Sequence, residues 1–414
     1  MCTKYGPGWA KFHGKEDTYM KNFWKGLTLV TVSLLLIGGS VAGVMSADKQ
    51  VVKLGFIGPF VGGDATEGLA ARNCFDLAIR QANDSGKYKY KYELIVLDDE
   101  STPSVGVAAA LKLTSDPAVI AACGHWNSPV AFATTHIFGS FKMPFMIWAC
   151  MHPDLTKNNK YPEITRISST LDVENKDLAE FVVNKLGYKK WAIISDPTVY
   201  GVANAENFGD QVKKLGGEIV SVDYAPVGTM DFRPILTKID KFKPDGIYSG
   251  NVVMEGGLIK SQMAKLGLNY LYAANSGLYP KKFFELTGKD SEATIVTKPG
   301  VAMEKLKEWE PFKKAYEQAG YKEPAGWYSL YAYDAANIIM NTIEKVGPDR
   351  AKVTKEIRET AYNGLTGPVK FDGTGQNVHT LNTLYVAQNG DWVLWSESDY
   401  AKGKKKLPPI RSKK

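Results

Sequence analysis

The sequence predicts an α/β protein made of two Rossmann-like wound lobes. The chain has 414 residues, more than the roughly 250 to 300 residues at which one hydrophobic core usually stops growing. From residue 51 onward, short apolar runs alternate with segments of helical period, which is typical of parallel sheets with crossover helices. The alternation begins again after residues 166–169, and no low-complexity linker separates the two series. The pattern therefore indicates two lobes that are joined by short crossings and hinged against each other.

The first series of elements lies between residues 51 and 147. Its clearest helix, 66–83, carries Ala70, Cys74, Ala78 and Ala82 four residues apart, which forms an apolar stripe at helical period. The other elements are predicted strands at 51–57, 92–97, 119–123 and 145–147 and predicted helices at 104–115 and 128–138. Together they predict one complete wound lobe.

The second series repeats this order. It consists of predicted helices at 173–186, 202–214, 232–240 and 255–266 and predicted strands at 191–195, 218–224, 246–249 and 270–274. Two later helices, near 308–319 and 327–345, have no strands of their own and must cover a sheet that is already formed. Short strands near 369–372, 383–388 and 392–395, separated by turns rich in Gly and Asn, are predicted at the end.

Residues 1–47 predict an export signal with an upstream extension. Lys21 and Lys25 precede 22 uncharged residues, which contain a strongly apolar core and end in small residues, as in a cleaved secretory signal. Met20 is the more natural start, which leaves residues 1–19 as the extension. The alternative is an uncleaved anchor, since about 20 apolar residues can span a bilayer.

The net charge of +7 is concentrated near the C-terminus. Residues 399–414 form a predicted basic tail, whereas the body of the chain has slightly more acidic than basic side chains. Nucleic-acid binding requires basic residues interleaved with aromatic ones on a folded face. The charge distribution therefore argues against a nucleic-acid partner.

The sequence also lacks the motifs of common enzymes and metal sites. GxSxG, HExxH, P-loop and GxGxxG patterns are absent, and the four cysteines have no metal-ligand spacing. Cys123 and Cys150 each follow a predicted strand, so a disulfide between them is the alternative to two buried free thiols. We expect no catalytic activity, no cofactor and no metal.

Aromatic and polar residues gather at the carboxyl ends of the predicted strands. Ligands of open α/β sheets bind beyond these ends, where helix N-termini add unpaired amides. The residues at these positions are Trp126, Asn127, Ser128, Cys150 and Met151 in the first series and Tyr200, Asn251, Asn275 and Ser276 in the second. Aromatic walls with a few polar groups are typical of a small-molecule site.

Several segments, in this order and spacing, resemble a known family. They are 53–60 (KLGFIGPF), 97–99 (LDD), 124–128 (GHWNS), 199–201 (VYG), 230–232 (MDF), 333–335 (YDA) and 364–372 (GLTGPVKFD). From about residue 52 to 395 the chain resembles the leucine/isoleucine/valine-binding proteins of bacterial ABC importers. The resemblance implies the type I periplasmic binding protein fold, a periplasmic location, a membrane permease as partner, a small-molecule ligand and a monomer.

The same resemblance implies where the lobes meet. Three crossings are expected, near residue 168, near 296–298 and near 362–366. Lobe one then comprises 48–168 and 297–362, and lobe two comprises 169–296 and 363–398.

The resemblance also implies roles for single residues. Ser128 matches the serine that hydrogen-bonds the ligand carboxylate, and Trp126, Tyr200 and Tyr328 match wall positions. Ser128 also suits a helix N-cap, and Trp126 also suits plain core packing. Glu67 stands where an aromatic residue often lines the cleft, and its alternative role is a solvated acid in the first turn of a helix.

Some positions depart from the family pattern. Cys150 and Met151 replace a small residue and a threonine, Ser276 stands where an acid would hold the ligand ammonium, and Ser101 and Asn127 replace a common disulfide. A buried ammonium without a carboxylate partner is costly. We therefore expect an uncharged or singly charged ligand, such as an amide or a carboxylate, and not an ordinary zwitterionic amino acid. An amide- or urea-type binder and the ligand-sensing module of a receptor remain as alternatives.

We predict that the exported protein begins near Asp48. The small residues that end at Ala47 suit signal peptidase, so the intact mass of protein from the periplasmic fraction should correspond to a chain starting there. A product in the membrane fraction that retains residues 23–44 would contradict cleavage.

Overall fold

The computed structural model describes residues 49–300 and 302–412. The predicted export signal, its extension and the cleavage site lie outside the described residues. Among the helices of the described part, none is both long and apolar enough to cross a membrane.

A sheet of five parallel strands forms from the first series. Its order is β2-β1-β3-β4-β5, with β1 Val51–Gly58, β2 Lys91–Asp98, β3 Val119–Gly124, β4 Phe145–Ile147 and β5 Ile164–Arg166. Its helices are α1 Ala65–Asp84, α2 Pro103–Ser115, α3 Ser128–Ser140 and α4 Asp154–Lys157. Every residue of β3 and β4 is buried, as expected for strands that are covered on both faces.

A sheet of seven strands forms from the second series together with β10 and two strands from the end of the chain, with the order β14-β13-β10-β9-β8-β6-β7. Its strands are β6 Lys190–Ser195, β7 Glu218–Tyr224, β8 Gly246–Ser249, β9 Leu271–Ala274, β10 Thr294–Pro299, β13 Asn382–Gln388 and β14 Asp391–Leu394. Its helices are α5 Leu171–Ala179, continued by π-helical turns over Glu180–Lys185, α6 Val199–Lys214, α7 Arg233–Asp240, α8 Val253–Lys265 and α9 Lys282–Thr287. The prediction of two wound α/β lobes is confirmed.

A third block of helices adds no strand to either large sheet. It consists of α10 Trp309–Gln318, α11 Trp327–Val346 and α12 Arg350–Glu359, followed by a hairpin of β11 Ala361–Gly364 and β12 Gly367–Lys370. The buried faces of α11 and α12 belong to the same apolar core as β1 and α1. These helices therefore cover the first sheet, while the residue boundaries of the lobes stay a prediction.

The sequence patterns missed β5, β10, β11 and the helices α4, α9 and α12. Strand β10 was missed because it contains Lys298, which interrupts the apolar run. In the structure Lys298 is buried, and its ammonium lies 4.1 Å from the centroid of the Trp327 ring. Cation–π contact thus lets a charged residue occupy a buried strand.

The cysteines of the described part are free. Cys74, Cys123 and Cys150 are all buried thiols. The alternative of a disulfide between Cys123 and Cys150 is therefore not adopted.

A buried guanidinium joins the segments where the lobes meet. Arg166 is fully buried, and burial lowers its pKa to about 10, so it stays charged. It donates to the carbonyl oxygens of Cys150 at 3.1 Å and His152 at 2.6 Å, and to Oε1 of Gln376 at 2.6 Å. Gln376 in turn donates to the carbonyl oxygen of Ser168 at 2.8 Å. The loop after β4 is thereby tied to the chain near residues 168 and 376.

The predicted basic tail is folded against the second sheet. The buried carboxylate of Asp245 accepts hydrogen bonds from the backbone amides of Arg411 at 2.7 Å and Ser412 at 2.8 Å. Leu407 and Ile410 pack on the apolar core of the same lobe. The C-terminal segment is therefore a strap that closes over lobe two.

We predict that Asp245→Asn lowers the free energy of unfolding by about 2 to 3 kcal/mol, because hydrogen bonds to a charged group contribute about that much. Burial raises the pKa of Asp245, but its hydrogen bonds with Ser412, Lys190 and Arg411 outweigh burial and lower it overall. The ionised form is thus favoured in the folded state, so the difference from wild type should shrink as the pH falls below about 4. Urea unfolding of both proteins at several pH values measures this difference in the free energy of unfolding.

The matched control is Asp210→Asn. Asp210 is exposed and has only a loose ion pair, 3.7 Å from Lys213. Equal stability of the two variants would contradict the strap.

Candidate ligand-binding site

A cavity of about 160 Å³ lies between the two large sheets, at the carboxyl ends of their strands. Loops after β1 to β4 form one wall, loops after β6 to β9 form the other, and the first turn of α11 contributes as well. The lining residues are Asp64, Ser101, Trp126, Asn127, Ser128, Pro129, Ala149, Met151, Asp196, Thr198, Tyr200, Val227, Val252, Gly277 and Tyr328.

Three aromatic side chains from both lobes dominate the walls. The Trp126 and Tyr328 rings meet edge to face, with centroids 5.1 Å apart and an interplanar angle of 87°. Opposite them, the Tyr200 hydroxyl hydrogen-bonds the side chain of Asn275 at 3.2 Å. Burial raises the pKa of Tyr200, so its phenol is neutral. Such rings can enclose the apolar part of a small ligand.

Ser128 lies where α3 begins, at the cavity wall. The preceding residue, Asn127, is the N-cap, and its side chain makes no capping hydrogen bond. Ser128 is therefore not the N-cap, and its hydroxyl has only a long contact, 3.4 Å from the amide of His152. A free hydroxyl beside the amides of a helix N-terminus favours a group with negative charge or a carbonyl oxygen.

The described residues that line the cavity include the carboxylates of Asp64 and Asp196 but no lysine or arginine. Asp64 accepts hydrogen bonds from the hydroxyl of Ser101 at 2.9 Å and from the side-chain Nδ2 of Asn127 at 3.0 Å. Ser101 and Asn127, which stand at the two positions of the family disulfide, are thus joined by the carboxylate of Asp64. Asp196 accepts from the Thr198 amide at 2.9 Å, and burial raises the pKa of Asp196.

Six of the residues predicted from the sequence line the cavity, namely Trp126, Asn127, Ser128, Met151, Tyr200 and Tyr328. The structure brings these side chains together, and their contact with a ligand stays a prediction.

The other predicted residues lie behind the cavity wall. The Cys150 thiol donates to the carbonyl oxygen of His125 at 3.1 Å. Asn275 supports Tyr200 and caps the short turn that begins at Ser276. Asn251 is fully buried, and it pairs with the backbone of Ile194 when its amide is oriented to satisfy both of its polar atoms.

Glu67 is half-buried in the first turn of α1 and is not part of the cavity wall. Burial, with a smaller effect of Asp64, raises its pKa to about 7. It is therefore not a fully solvated acid, and its contact with a ligand stays a prediction.

A buried acid that the sequence did not reveal lies behind Ser276. Both the amide and the hydroxyl of Ser276 donate to Oε2 of Glu174, at 3.0 Å and 2.6 Å. The Ser276 hydroxyl also contacts the hydroxyl of Tyr328. Burial raises the pKa of Glu174 to about 8, although the Ser276 hydrogen bonds oppose this shift. Helix α5 thus supplies a carboxyl group beside the position where the family pattern has one.

The remaining wall residues follow the rule of strand ends. Asp196 and Thr198 follow β6, Val252 follows β8 and Gly277 follows β9. These four residues could therefore have been predicted from their positions after the strands. Glu174 carries no such signal, because it lies in the first turn of a helix, where acidic residues are common, and not directly after a strand.

A buried acid, imidazole and hydroxyl lie in one row in lobe one. Asp99 Oδ2 is 2.7 Å from Nδ1 of His125, and His125 Nε2 is 2.9 Å from the hydroxyl of Thr134. All three are fully buried and outside the cavity wall, so a substrate has no access to them. Within residues 49–300 and 302–412, no group of His, Cys, Asp and Glu could hold a metal ion.

Comparison with known proteins agrees with this architecture. The family model "Periplasmic binding protein" matches residues 51–391. A leucine-, isoleucine-, valine-, threonine- and alanine-binding protein of Pseudomonas aeruginosa is 26% identical over 85% of this chain and 93% of its own. A Leu/Ile/Val-binding protein homolog of Brucella suis is 25% identical over 89% of this chain and 97% of its own.

Solved structures share the fold. A leucine-binding protein from Thermotoga maritima matches with a TM-score of 0.76 and 24% identity, over 83% of this chain and 97% of its own. A solute-binding protein from R. palustris in complex with benzoate matches with a TM-score of 0.74 and 20% identity, over 83% and 95%. The family model covers most of the chain and confirms the resemblance seen in the sequence. The chain therefore belongs to the periplasmic binding protein family and is a substrate-binding protein with the type I fold.

Proposed function

We propose that this chain is the substrate-binding component of an ABC importer of the branched-chain amino acid type, and that it captures a small monocarboxylate or amide with a flat apolar body. The observation that carries the proposal is the set of three rings, Trp126, Tyr200 and Tyr328, which face one small cavity from both lobes. The relatives named for leucine, isoleucine and valine support the transporter type. The neighbour solved with benzoate supports the ligand class.

The head group of the ligand is assigned to the α3 end of the cavity. Ser128 offers a hydroxyl there, beside the amides of the helix N-terminus, which suits a carboxylate or an amide oxygen. At pH 7 Glu174 is mostly protonated, since its pKa is about 8. The base of the cleft therefore offers neither strong repulsion to a carboxylate nor an ionised partner to an ammonium.

An α-amino acid is the second candidate. The carboxyl group of Glu174 lies 2.6 Å from the Ser276 hydroxyl, so it could ionise and take the role of the family acid. Against this, Oε2 of Glu174 already accepts both Ser276 groups and a longer contact from Thr297 at 3.4 Å. We rank the singly charged or uncharged ligand first.

Location and partners follow from the family and are part of the proposal. The protein works in the periplasm after removal of residues 1–47, as a monomer that delivers its ligand to a membrane permease. It needs no cofactor and is not an enzyme.

We predict that benzoate or benzamide binds with micromolar affinity and that leucine, isoleucine and valine bind at least tenfold more weakly. Each charge-assisted contact that a zwitterion loses costs about 1.5 to 3 kcal/mol, roughly a factor of ten to a hundred in affinity. Isothermal calorimetry at pH 7 measures the five affinities.

Two glutamine variants separate the candidates. Micromolar leucine binding that Glu174→Gln abolishes and Glu67→Gln leaves intact would establish the amino-acid candidate and contradict the proposed ligand. Leucine binding that survives both changes would assign the ammonium to another group.

We predict that ligand closes the cleft. The two wound lobes meet at short crossings, so binding between them should rotate the lobes together. Small-angle X-ray scattering should show a smaller radius of gyration with saturating ligand than without it. An unchanged radius at saturation would indicate a rigid receptor.

A further inference from the structure

A chain of three buried side chains connects the lobes beneath the cavity. Tyr328 on α11 is 4% exposed, and Ser276 after β9 and Glu174 on α5 are fully buried. The Tyr328 hydroxyl contacts the Ser276 hydroxyl, which lies 2.6 Å from Oε2 of Glu174. Tyr328 also lines the cavity. One end of the chain is therefore a ligand wall, and the other end is an acid.

The direction of the hydrogen bonds follows from counting protons. Since Oε2 of Glu174 accepts from both the amide and the hydroxyl of Ser276, a protonated Glu174 carries its proton on Oε1, and the single proton of the Ser276 hydroxyl points to Oε2. The Tyr328 phenol must then donate to the Ser276 oxygen. The position of the Tyr328 hydroxyl thus depends on an acceptor in the opposite lobe.

The described groups that face Glu174 are an acid and several phenols, and not cations. Asp177 on the same helix raises its pKa further. The phenols of Tyr200, Tyr248, Tyr328 and Tyr331 also lie within the electrostatic reach of Glu174; burial raises their pKa values, and the Glu174 charge adds to this effect. Lys298 follows Thr297 on β10, so its side chain leaves the strand on the other face, among aromatic rings. Oε1 of Glu174 has no hydrogen-bond partner among the described residues.

We propose that Glu174 is a positioning residue that couples closure of the cleft to the uptake of one proton. Opening the cleft separates Tyr328 from Ser276 and lets water reach Glu174, which then ionises. Closing it buries the carboxylate, which takes a proton from solvent and becomes a neutral acid. The proposal rests on the hinged cleft of the proposed function and not on the identity of the ligand.

The sign of the effect follows from linkage. In the closed form burial holds the pKa of Glu174 at about 8, above the ordinary value of 4.5. Between these values the closed form binds one proton more than the open form. Closure should therefore weaken about tenfold for each unit of rising pH between about 5 and 8.

The first test closes the cleft without ligand. A β-carbon at Gly63 would lie 3.5 Å from Cγ of Met254 across the cleft mouth, so Gly63→Cys with Met254→Cys can form a disulfide between the lobes. Infrared spectra of the oxidised protein should contain the band of a protonated carboxyl group that disappears with a midpoint near pH 8. Reduction of the disulfide should lower this midpoint by at least two pH units.

Two variants of the locked protein identify the group. Glu174→Gln should remove the band, and Ser276→Ala should raise its midpoint, because it deletes a hydrogen bond that favours the carboxylate. Glu67 also contributes a protonated band, but with a midpoint near pH 7. A locked protein without a component that has its midpoint near pH 8, or with such a component that Glu174→Gln leaves intact, would overturn the proposal.

The second test uses benzoate as probe in the unlocked protein. Calorimetry from pH 5.5 to 7.5, in buffers of different ionisation heat, should show uptake of one proton and a dissociation constant that rises about tenfold per pH unit. Glu174→Gln should abolish both effects. The matched control is Glu180→Gln, which changes an exposed acid that follows the same helix.

The outcomes of the two tests are distinguishable. Lack of benzoate binding contradicts the proposed ligand, and the locked protein then decides the role of Glu174 alone. Benzoate binding with the same pH dependence in wild type and Glu174→Gln would overturn the proton coupling and leave the proposed ligand standing.

Discussion

The arrangement of the cleft depends on one buried charge, the guanidinium of Arg166. Burying an unpaired cation is costly, and the chain meets this cost by turning carbonyl oxygens of the loop after β4 toward it. That loop carries Ala149 and Met151 into the cavity wall. Gln376 extends the same network to the segment near Ser168, where the chain passes between the sheets. The wall of the cavity and the segment where the chain passes between the sheets are therefore one hydrogen-bonded unit.

The cavity itself combines acids with aromatic rings and has no described cation in its wall. The negative charge of each acid is balanced or reduced in a different way. Asp64 is held by two side-chain donors, and Asp196 is partly desolvated, with a raised pKa. Glu174, behind the wall, is mostly neutral at pH 7. A singly charged or neutral ligand consequently meets less electrostatic opposition than the number of carboxyl groups suggests.

The hydrophobic periodicity of the sequence was sufficient to predict the main helices and strands, but it was insufficient to predict some of the short, buried strands. The apolar stripe of α1 and the alternation of strands and helices predicted both wound sheets, because these patterns reflect burial of one face. Strand β5 is as short as β4, but it contains Thr165 and Arg166 and so lacks the apolar run by which β4 was predicted. Strand β10 contains Lys298, whose burial depends on rings from distant parts of the chain. Contacts that distant cannot be inferred from a local pattern.

The rule of strand ends predicted part of the site for the same physical reason, since loops after parallel strands converge at one edge of the sheet. It correctly placed Trp126, Ser128 and Tyr200 at the cavity, but it could not separate residues that line the cavity from residues that support them. Asn275 shows the difference, because it lies at a strand end and holds the Tyr200 hydroxyl from behind.

Ser276 shows a deeper limit of position-by-position reasoning. The family pattern expects an acid at this place, and its absence suggested that the carboxyl group was lost. The structure retains a carboxyl group there, supplied by Glu174 from a different helix. An acid on a loop at the cleft edge would be partly solvated and ionised, whereas the same group on a buried helix face is desolvated and mostly neutral. A carboxyl group on the buried helix face therefore differs in its charge at neutral pH from one on a solvated loop. The charge of a site, and with it the class of ligand, depends on burial as much as on composition.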